Sequence, residues 1–304
     1  MRDHDRQGGG TGRGAGHVER RGFLRGFAAA ATVGVTGLAT VGTASAADVT
    51  DDYPRVSTRD HFDDDADLTD GETAHSYDVE GDWSAIGDDT LTVWVHGWRT
   101  DAQEAVDGAG EAQSALEANG YEGDVVAYSW DADKGDSLDL GWADAKDIAD
   151  GNGEKLANFL TDWSADHDTP VRVVAHSLGA RVTVDTCRSL QDDFEEPDAL
   201  ASATLLGGAI EDDDPSLDAG WFDDEYGPSI EYAVGEFDNF YSGDDPVLRY
   251  IFNTREFESA VGEVGIEGPA PDNYEDHDVT DRVDGHSGYY QRDDGVMDRV
   301  LAEW

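Results

Sequence analysis

The sequence predicts an α/β fold in which a mostly parallel central sheet is flanked by helices. From residue 90 onward, short apolar runs rich in β-branched residues alternate with longer segments whose apolar residues recur at helical spacing. This alternation is typical of strand–helix–strand crossovers, which place successive strands parallel in one sheet. The chain of 304 residues is long enough to fill one large domain without disulfides.

The elements follow one another in a regular order. Strands are predicted at Leu91–Val95, Val125–Trp130, Val171–Ala175, Ala203–Leu206 and Phe237–Ser242. Helices are predicted at 102–118, 142–164 and 178–191, and a last helix should pack Met297, Val300, Leu301 and Trp304 on the sheet. Residues 47–89 are rich in acidic and turn-forming residues. We therefore expect an acidic N-terminal segment at 47–89 and one domain at 90–304.

The first 46 residues differ from the rest in charge, because they carry six arginines and three acidic residues. Residues 19–25, which include Arg20 and Arg21, resemble a twin-arginine export signal, and a mildly apolar run and the small residues Ala44–Ala46 follow. We predict a signal peptide at 1–46. A retained membrane anchor is the alternative, which the glycine and threonine content of the run disfavours. The protein is thus expected to be secreted or at the cell surface, without stable membrane insertion after cleavage.

The whole chain has 69 Asp+Glu and 20 Lys+Arg, a net charge of −49. One interpretation is a halophilic surface, on which dense carboxylates hold water and hydrated cations in concentrated salt. The other is a protein that binds cations or basic partners. In dilute salt the carboxylates should repel one another, since the Debye length is still about 10 Å at 0.1 M. Under the halophilic interpretation, the negative field argues against nucleic acid as a partner because it repels phosphates.

Cysteine and histidine usage predicts no metal and no cofactor. The single cysteine, Cys187, excludes an intramolecular disulfide and is expected to be a small packed residue. No set of Cys and His shows the spacing of a zinc site. The aspartates of 63–67 lack the glycine and terminal glutamate of an EF-hand loop, and we expect a solvated loop there.

The strongest chemical signal is the segment Ala175–Ala180, which reads AHSLGA. A buried strand ends, Ser177 follows and a helix begins, which is the context of a nucleophile elbow. Small residues two before and two after the serine let the backbone pass close to its neighbours. The helix N-terminus behind the serine favours developing negative charge. Ser177 is therefore the predicted nucleophile, with Ala175 in place of the first glycine of the G-x-S-x-G pattern.

A second signal is His96-Gly97-Trp98, which ends an earlier predicted strand. A loop at this place can offer a backbone N–H to an oxyanion. The expected oxyanion hole consists of the N–H groups of Leu178 and Trp98, and one such donor typically contributes about 10²–10³ in rate. His96 itself is expected to brace the loop by hydrogen bonding.

Together, Val95–Trp98, Tyr128–Trp130 and Ala175–Arg181 resemble the α/β-hydrolase superfamily, and most closely a secreted haloarchaeal type of its lipase/esterase branch. The resemblance covers roughly residues 90–300. It implies an α/β-hydrolase fold and the chain order serine, acid, histidine.

The resemblance places the acid after the strand predicted at 237–242. We choose Asp245, because an aspartate directly before Pro-Val is frequent in this superfamily, and Asp244 is the alternative. The base should be a late histidine. We choose His286, in a loop of small residues before the final helix, over His277, which lies among acidic residues.

The predicted function is hydrolysis of a small-molecule or lipid carboxylic ester by Ser177, Asp245 and His286 through an acyl-enzyme, as in esterases and lipases. A thioesterase, amidase or polyester depolymerase would use the same triad. A non-catalytic secreted surface protein with this fold is the alternative of another class. Residues 211–235 form an insertion that contains many acidic residues. We expect it to be a lid, part of a binding wall or a surface loop. Its apolar residues are Trp221, Phe222, Tyr226, Ile230 and Tyr232.

Overall fold

The computed structural model describes residues 52–87, 90–134, 140–218 and 225–304. The expected signal peptide at 1–46 lies outside these ranges, as do Trp221 and Phe222 of the predicted lid segment. Within them, a mostly parallel sheet of eight strands is flanked by helices, which is the α/β-hydrolase fold that the motifs predicted.

The strands are β1 Arg55–Ser57, β2 Asp78–Glu80, β3 Leu91–Val95, β4 Asp124–Ser129, β5 Val171–His176, β6 Leu200–Leu206, β7 Val234–Tyr241 and β8 Tyr274–Asp278. Their order across the sheet is β2-β1-β4-β3-β5-β6-β7-β8. β1 and β2 are antiparallel, and all other neighbouring pairs are parallel. All five residues of β3 are buried, which explains why this central strand reads as a continuous apolar run.

The helices are α1 Ala102–Ala118, α2 Leu140–Asp166, α3 Gly179–Asp192, α4 Gly227–Ala233, α5 Asn253–Glu256, α6 Val261–Val264 and α7 Met297–Ala302. Short 3₁₀ and π turns occur at Trp83–Ala85 and Leu248–Phe252. Asp101 caps α1, because its carboxylate accepts hydrogen bonds from the backbone N–H groups of Gln103 and Glu104. Among the described residues, no helix combines the length and the apolar composition needed to cross a bilayer.

Two apolar cores cover the two faces of the sheet. The larger core contains Ile148 and Leu156 of α2 and Val182 of α3, all completely buried. The smaller core contains Leu116 of α1 and Met297 of α7. The C-terminal helix therefore packs on the sheet as predicted, on the same face as α1.

The structure adds three strands that the sequence did not predict. β1 and β2 lie in the acidic segment 47–89, and β1 pairs with the domain strand β4, so this segment is part of the sheet. Each has only three residues, too few to show a strand period. β8 reads YEDHD and lacks the β-branched residues on which a strand prediction depends. It is an edge strand, where charged side chains hinder pairing with another chain.

Part of the insertion at 211–235 belongs to the core. Tyr226 and Ile230 are completely buried, and Ile230 lies on α4. Both side chains belong to the larger core, and Tyr226 lies against α3, where its hydroxyl donates to the Asp185 carboxylate at 3.3 Å. Their burial removes apolar surface from water and so stabilises the fold. Their burial excludes an exposed position for these two side chains, and the interpretations of the segment as a lid, a binding wall or a surface loop stay predictions.

Candidate active site

Ser177 follows β5 directly and has φ +57°, in the left-handed region that non-glycine residues rarely adopt. Three backbone hydrogen bonds hold this conformation. The Ser177 N–H donates to the Leu206 carbonyl oxygen at 3.2 Å, and the Ser177 carbonyl accepts from Ala180 at 3.0 Å and from Ala209 at 3.0 Å. The turn is thus fixed between the end of β6 and the start of α3, as a nucleophile elbow requires.

Two glycines let the loop after β3 approach this turn. A Cβ on Gly97 would lie 2.6 Å from the Ser177 Cβ and 3.1 Å from its Oγ. A Cβ on Gly179 would lie 2.5 Å from the carbonyl oxygen of Val95. The two motifs recognised in the sequence are therefore in direct contact, and glycine is required at both contact points.

Ser177, His286 and Asp245 form a continuous hydrogen-bonded chain. The Ser177 Oγ lies 2.7 Å from the His286 Nε2, and the His286 Nδ1 lies 2.7 Å from the Asp245 Oδ2. Because an ionised carboxylate only accepts, Nδ1 carries the ring proton and Nε2 accepts from the serine hydroxyl. Asp245 is completely buried and Ser177 is 7 % exposed.

Asp245 is held as a carboxylate. Its Oδ1 accepts the backbone N–H groups of Val247 at 3.0 Å and Leu248 at 3.2 Å. Burial would raise the pKa of Asp245, but the charge and hydrogen bond of His286, with these two N–H groups, lower it below its usual range. Asp244 is exposed, and its hydrogen bond is a backbone one to the Ser242 hydroxyl. The geometry thus favours Asp245 over Asp244.

The backbone N–H groups of Leu178 and Trp98 are available beside the serine. Leu178 is the residue before α3, and Trp98 follows Gly97, which contacts Ser177. Neither N–H donates a hydrogen bond to another group in the described part of the chain. This placement is compatible with the predicted oxyanion hole.

His96 braces the loop after β3. Its Nδ1 donates to the Gly97 carbonyl at 3.0 Å, and its Nε2 accepts from the Trp130 backbone N–H at 3.1 Å. The Trp130 indole in turn donates to the His96 carbonyl at 3.0 Å. Burial, with the nearby charge of Arg59, lowers the pKa of His96 to about 3, so the ring is neutral. The expected bracing role agrees with these contacts.

The two late histidines have different partners: His286 is bonded to Ser177, whereas His277 is not part of this hydrogen-bonded chain. His277 lies on β8 and bonds to Asp238, at 2.7 Å between Nε2 and Oδ1.

Cys187 is completely buried, and burial raises the pKa of its thiol to about 12. A small packed residue, as expected, is what the structure shows.

An aromatic wall, which sequence reasoning missed apart from Trp98, lies beside the oxyanion loop. The rings of Trp98 and Trp142 meet edge to face at 5.1 Å between centroids, and Trp142 meets Phe252 at 6.1 Å. The guanidinium groups of Arg99 and Arg255 lie 5.6 Å and 5.2 Å from the Trp98 ring centroid. These residues come from three separate stretches of the chain, at 98–99, 142 and 252–255, so no sequence spacing could have grouped them.

The comparisons with known sequences give one family and one relative. The model of a family described as Protein of unknown function (DUF726) matches residues 132–303, a range that includes the three residues of the hydrogen-bonded chain. The chain is 27% identical over 179 residues to the Transmembrane and coiled-coil domain-containing protein STS1 of Oryza sativa subsp. japonica. That match covers 58% of this chain and 25% of the rice protein, so the chain spans about a quarter of this relative's length.

Solved structures with a similar fold include three esterases and lipases. Aspergillus fumigatus lipase B is 14% identical, with a TM-score of 0.45 over 68% of this chain and 51% of that chain. Carboxylesterase CesB of Bacillus subtilis is 9% identical, with a TM-score of 0.39 over 71% of this chain and 84% of that chain. A Pyrobaculum calidifontis esterase is 10% identical, with a TM-score of 0.37 over 70% of this chain and 75% of that chain. Likeness at this level carries no information on substrate.

Proposed function

Because the chain belongs to the DUF726 family, whose function is unknown, we propose its function from its own site: it is a serine hydrolase that cleaves carboxylic esters. The single observation that supports this most is the hydrogen-bonded chain from Ser177 through His286 to Asp245, with both links at 2.7 Å. An aligned serine, imidazole and buried carboxylate is the arrangement that activates a hydroxyl for acyl transfer.

In the proposed reaction the Ser177 Oγ attacks the ester carbon while the His286 Nε2 takes the hydroxyl proton. Asp245 holds the imidazole in the correct tautomer and stabilises the imidazolium that forms. His286 then protonates the leaving alcohol, and the acyl-enzyme is hydrolysed when a water attacks with His286 as base. The N–H groups of Leu178 and Trp98 would stabilise the oxyanion, at about 10²–10³ in rate for each donor.

The aromatic wall supports an ester with an apolar acyl or aryl group. Trp98 is partly exposed and follows Gly97, which touches Ser177, and its ring is supported by the buried ring of Trp142, which in turn contacts the buried Phe252. A large, rigid and partly exposed ring offers contact area at low entropic cost, so Trp98 suits an apolar substrate group.

Labelling with a fluorophosphonate probe tests the nucleophile. The full chain in concentrated salt should label, and Ser177→Ala should lose the label. Ser114→Ala, which changes a partly exposed serine on α1, is the matched control and should label fully. A folded parent protein that never labels, or equal labelling of Ser177→Ala, would overturn the assignment.

A substrate screen then tests the ester preference. Nitrophenyl esters of short to long acyl chains are compared with thioester and amide substrates under the same conditions. Ester turnover that is lost in Ser177→Ala supports the proposal. Turnover confined to thioesters or amides would leave the assignment of the triad intact but would contradict the assignment as an esterase.

Export through the twin-arginine route remains part of the proposal, supported by Arg20 and Arg21 before the apolar run. Replacing both arginines by lysine in the native host should keep the protein inside the cell. Unchanged export of that variant would overturn it.

A further inference from the structure

A second cluster of charged residues lies away from the hydrogen-bonded chain, at the β8 edge of the sheet. Asp238 lies on β7, His277 lies on β8, and Glu303 follows α7 directly. One potential ligand atom from each residue lies within 4.8 Å of the other two. Three separate elements therefore bring a carboxylate, an imidazole and a second carboxylate to one point.

The Asp238 side chain is incompletely satisfied. It is 4 % exposed, and its Oδ1 is hydrogen-bonded to the His277 Nε2 at 2.7 Å. Its Oδ2 is buried and has no hydrogen-bond partner among the described residues. A buried carboxylate oxygen without a partner is costly, and native structures rarely keep one without a partner, an ion or a water.

The neighbouring arginine, Arg172, does not donate a hydrogen bond to the unpartnered Asp238 Oδ2. Arg172 is close enough for its charge to interact with Asp238, but its guanidinium donates to the Ser202 hydroxyl at 2.7 Å and to the Trp304 carbonyl at 3.2 Å. The Glu303 carboxylate accepts no hydrogen bond from any residue that the structure describes. Two carboxylates and one neutral imidazole carry a charge of −2, which matches a divalent cation.

We propose that Asp238, His277 and Glu303 bind a zinc ion. The imidazole nitrogen argues against calcium and magnesium, which prefer oxygen ligands, and the absence of thiolate argues against softer ions. Zinc binds both imidazole nitrogen and carboxylate oxygen, and a water would complete the tetrahedron. On binding, Nε2 gives up its proton to solvent and Nδ1 takes one up, so that the imidazole stays neutral and Nε2 donates its lone pair to the metal.

The surroundings of His277 suit this role. Its ring stacks on Phe240 at 4.4 Å between centroids and 16° between planes, which fixes the direction of the imidazole. The ion would link the edge strand β8 to β7 and to the residue after α7. Binding of the ion would therefore stabilise the sheet edge.

Zinc binding to the full chain tests the site. Protein stripped with a chelator is titrated with zinc by calorimetry, with excess magnesium present to occupy unspecific carboxylates. We expect one zinc per chain and a higher melting temperature with zinc than with chelator. Cobalt should bind in its place and show the intense visible absorption of tetrahedral coordination.

Variants distinguish zinc binding at this site from zinc binding to carboxylates elsewhere on the acidic surface. Glu303→Gln changes a partly exposed residue after the last helix, so it should fold, and it should weaken zinc binding by about tenfold or more. His277→Ala and Asp238→Asn should do the same. Asp294→Asn, at an exposed position, removes one charge as a matched control and should bind zinc like the parent. No tight zinc in the parent, or full binding in Glu303→Gln and His277→Ala, would overturn the proposal.

Discussion

The His176 imidazole donates from Nε2 to the backbone carbonyl oxygen of His286, at 2.7 Å. The residue before the proposed nucleophile thus holds the backbone of the proposed base, and the two rings lie 4.7 Å apart between centroids. Burial, with the nearby charge of His286, lowers the pKa of His176 to about 3, so the ring stays neutral near neutral pH. We infer that His176 is a positioning residue for His286.

His176 should make stability depend on pH. In the unfolded chain a histidine titrates near 6.5, while the folded pKa of His176 is about 3, so the unfolded state binds more protons between these values. Its contribution is fully present above pH 6.5 and falls as the pH drops, by about 1.4 kcal/mol per pH unit. His176→Asn keeps a donor for the carbonyl, and its free energy of unfolding should fall less steeply below pH 6.5.

Urea unfolding at a series of pH values from about 6.5 to 4.5 measures this difference. His75→Asn, which replaces an exposed histidine, is the control for loss of an imidazole. Equal slopes for the parent and His176→Asn would contradict the prediction.

Replacing Asp245 should be far more damaging than replacing Asp244. Asp245→Asn leaves the side chain's size unchanged but favours the wrong tautomer of His286, and we expect kcat to fall by about 10⁴. Asp244 is exposed and its side chain makes no contact with His286, so Asp244→Asn should stay within about threefold of the parent. Initial rates on a nitrophenyl ester decide between them, and a larger loss in Asp244→Asn would reassign the acid.

Gly97 should tolerate no side chain. Gly97→Ala places a Cβ 2.6 Å from the Ser177 Cβ, so the loop or the serine must move. Because misplacement by about 1 Å can cost about 10² in rate, we expect kcat/KM to fall by at least that factor. Gly285→Ala is the matched control, since nothing lies within 4 Å of its Cβ. Normal activity in Gly97→Ala would show that the contact with Ser177 is unimportant.

Salt should stabilise the protein if its surface is halophilic. The net charge of −49 is self-repulsive, and added salt screens it. The melting temperature, followed by circular dichroism, should rise steadily with KCl, and activity should be lost on dialysis to about 50 mM salt. Uncharged sucrose at matched water activity is the control. Full stability and activity in the dilute buffer would contradict the halophilic interpretation.

Local signals predicted the centre of the sheet and the position of Ser177. β3, β4 and β5 are buried on both faces, so their sequences are continuous apolar runs. Such runs are easily distinguished from helices, whose apolar residues recur every three or four positions. The serine was recognisable because strand, turn and helix are consecutive in the chain. His286 and Asp245 were selected by chain order and by a neighbouring proline, and their contact across 41 residues is visible only in the structure.

Features at the sheet edges and between distant segments could not be predicted. β8 is polar because solvent reaches it, so its sequence resembles a loop. The aromatic wall brings together Trp142 and Phe252, which are 110 residues apart in the chain, and no sequence pattern predicts a contact at that separation. His176 precedes Ser177 in the chain, but its carbonyl partner on His286 depends on how two distant loops pack.

The position of β8 at the edge has a consequence for partial unfolding. β8 pairs with only one strand, β7, whereas β5 is enclosed between β3 and β6. Local opening of an edge element costs less free energy than global unfolding. Such an opening would carry away the loop with His286 and leave the Ser177 turn in place. We expect activity to disappear at a lower urea concentration than helical signal, with fast amide exchange confined to β8 and the loop that carries His286, so that the proposed enzyme would have a reversible inactive state inside an intact fold.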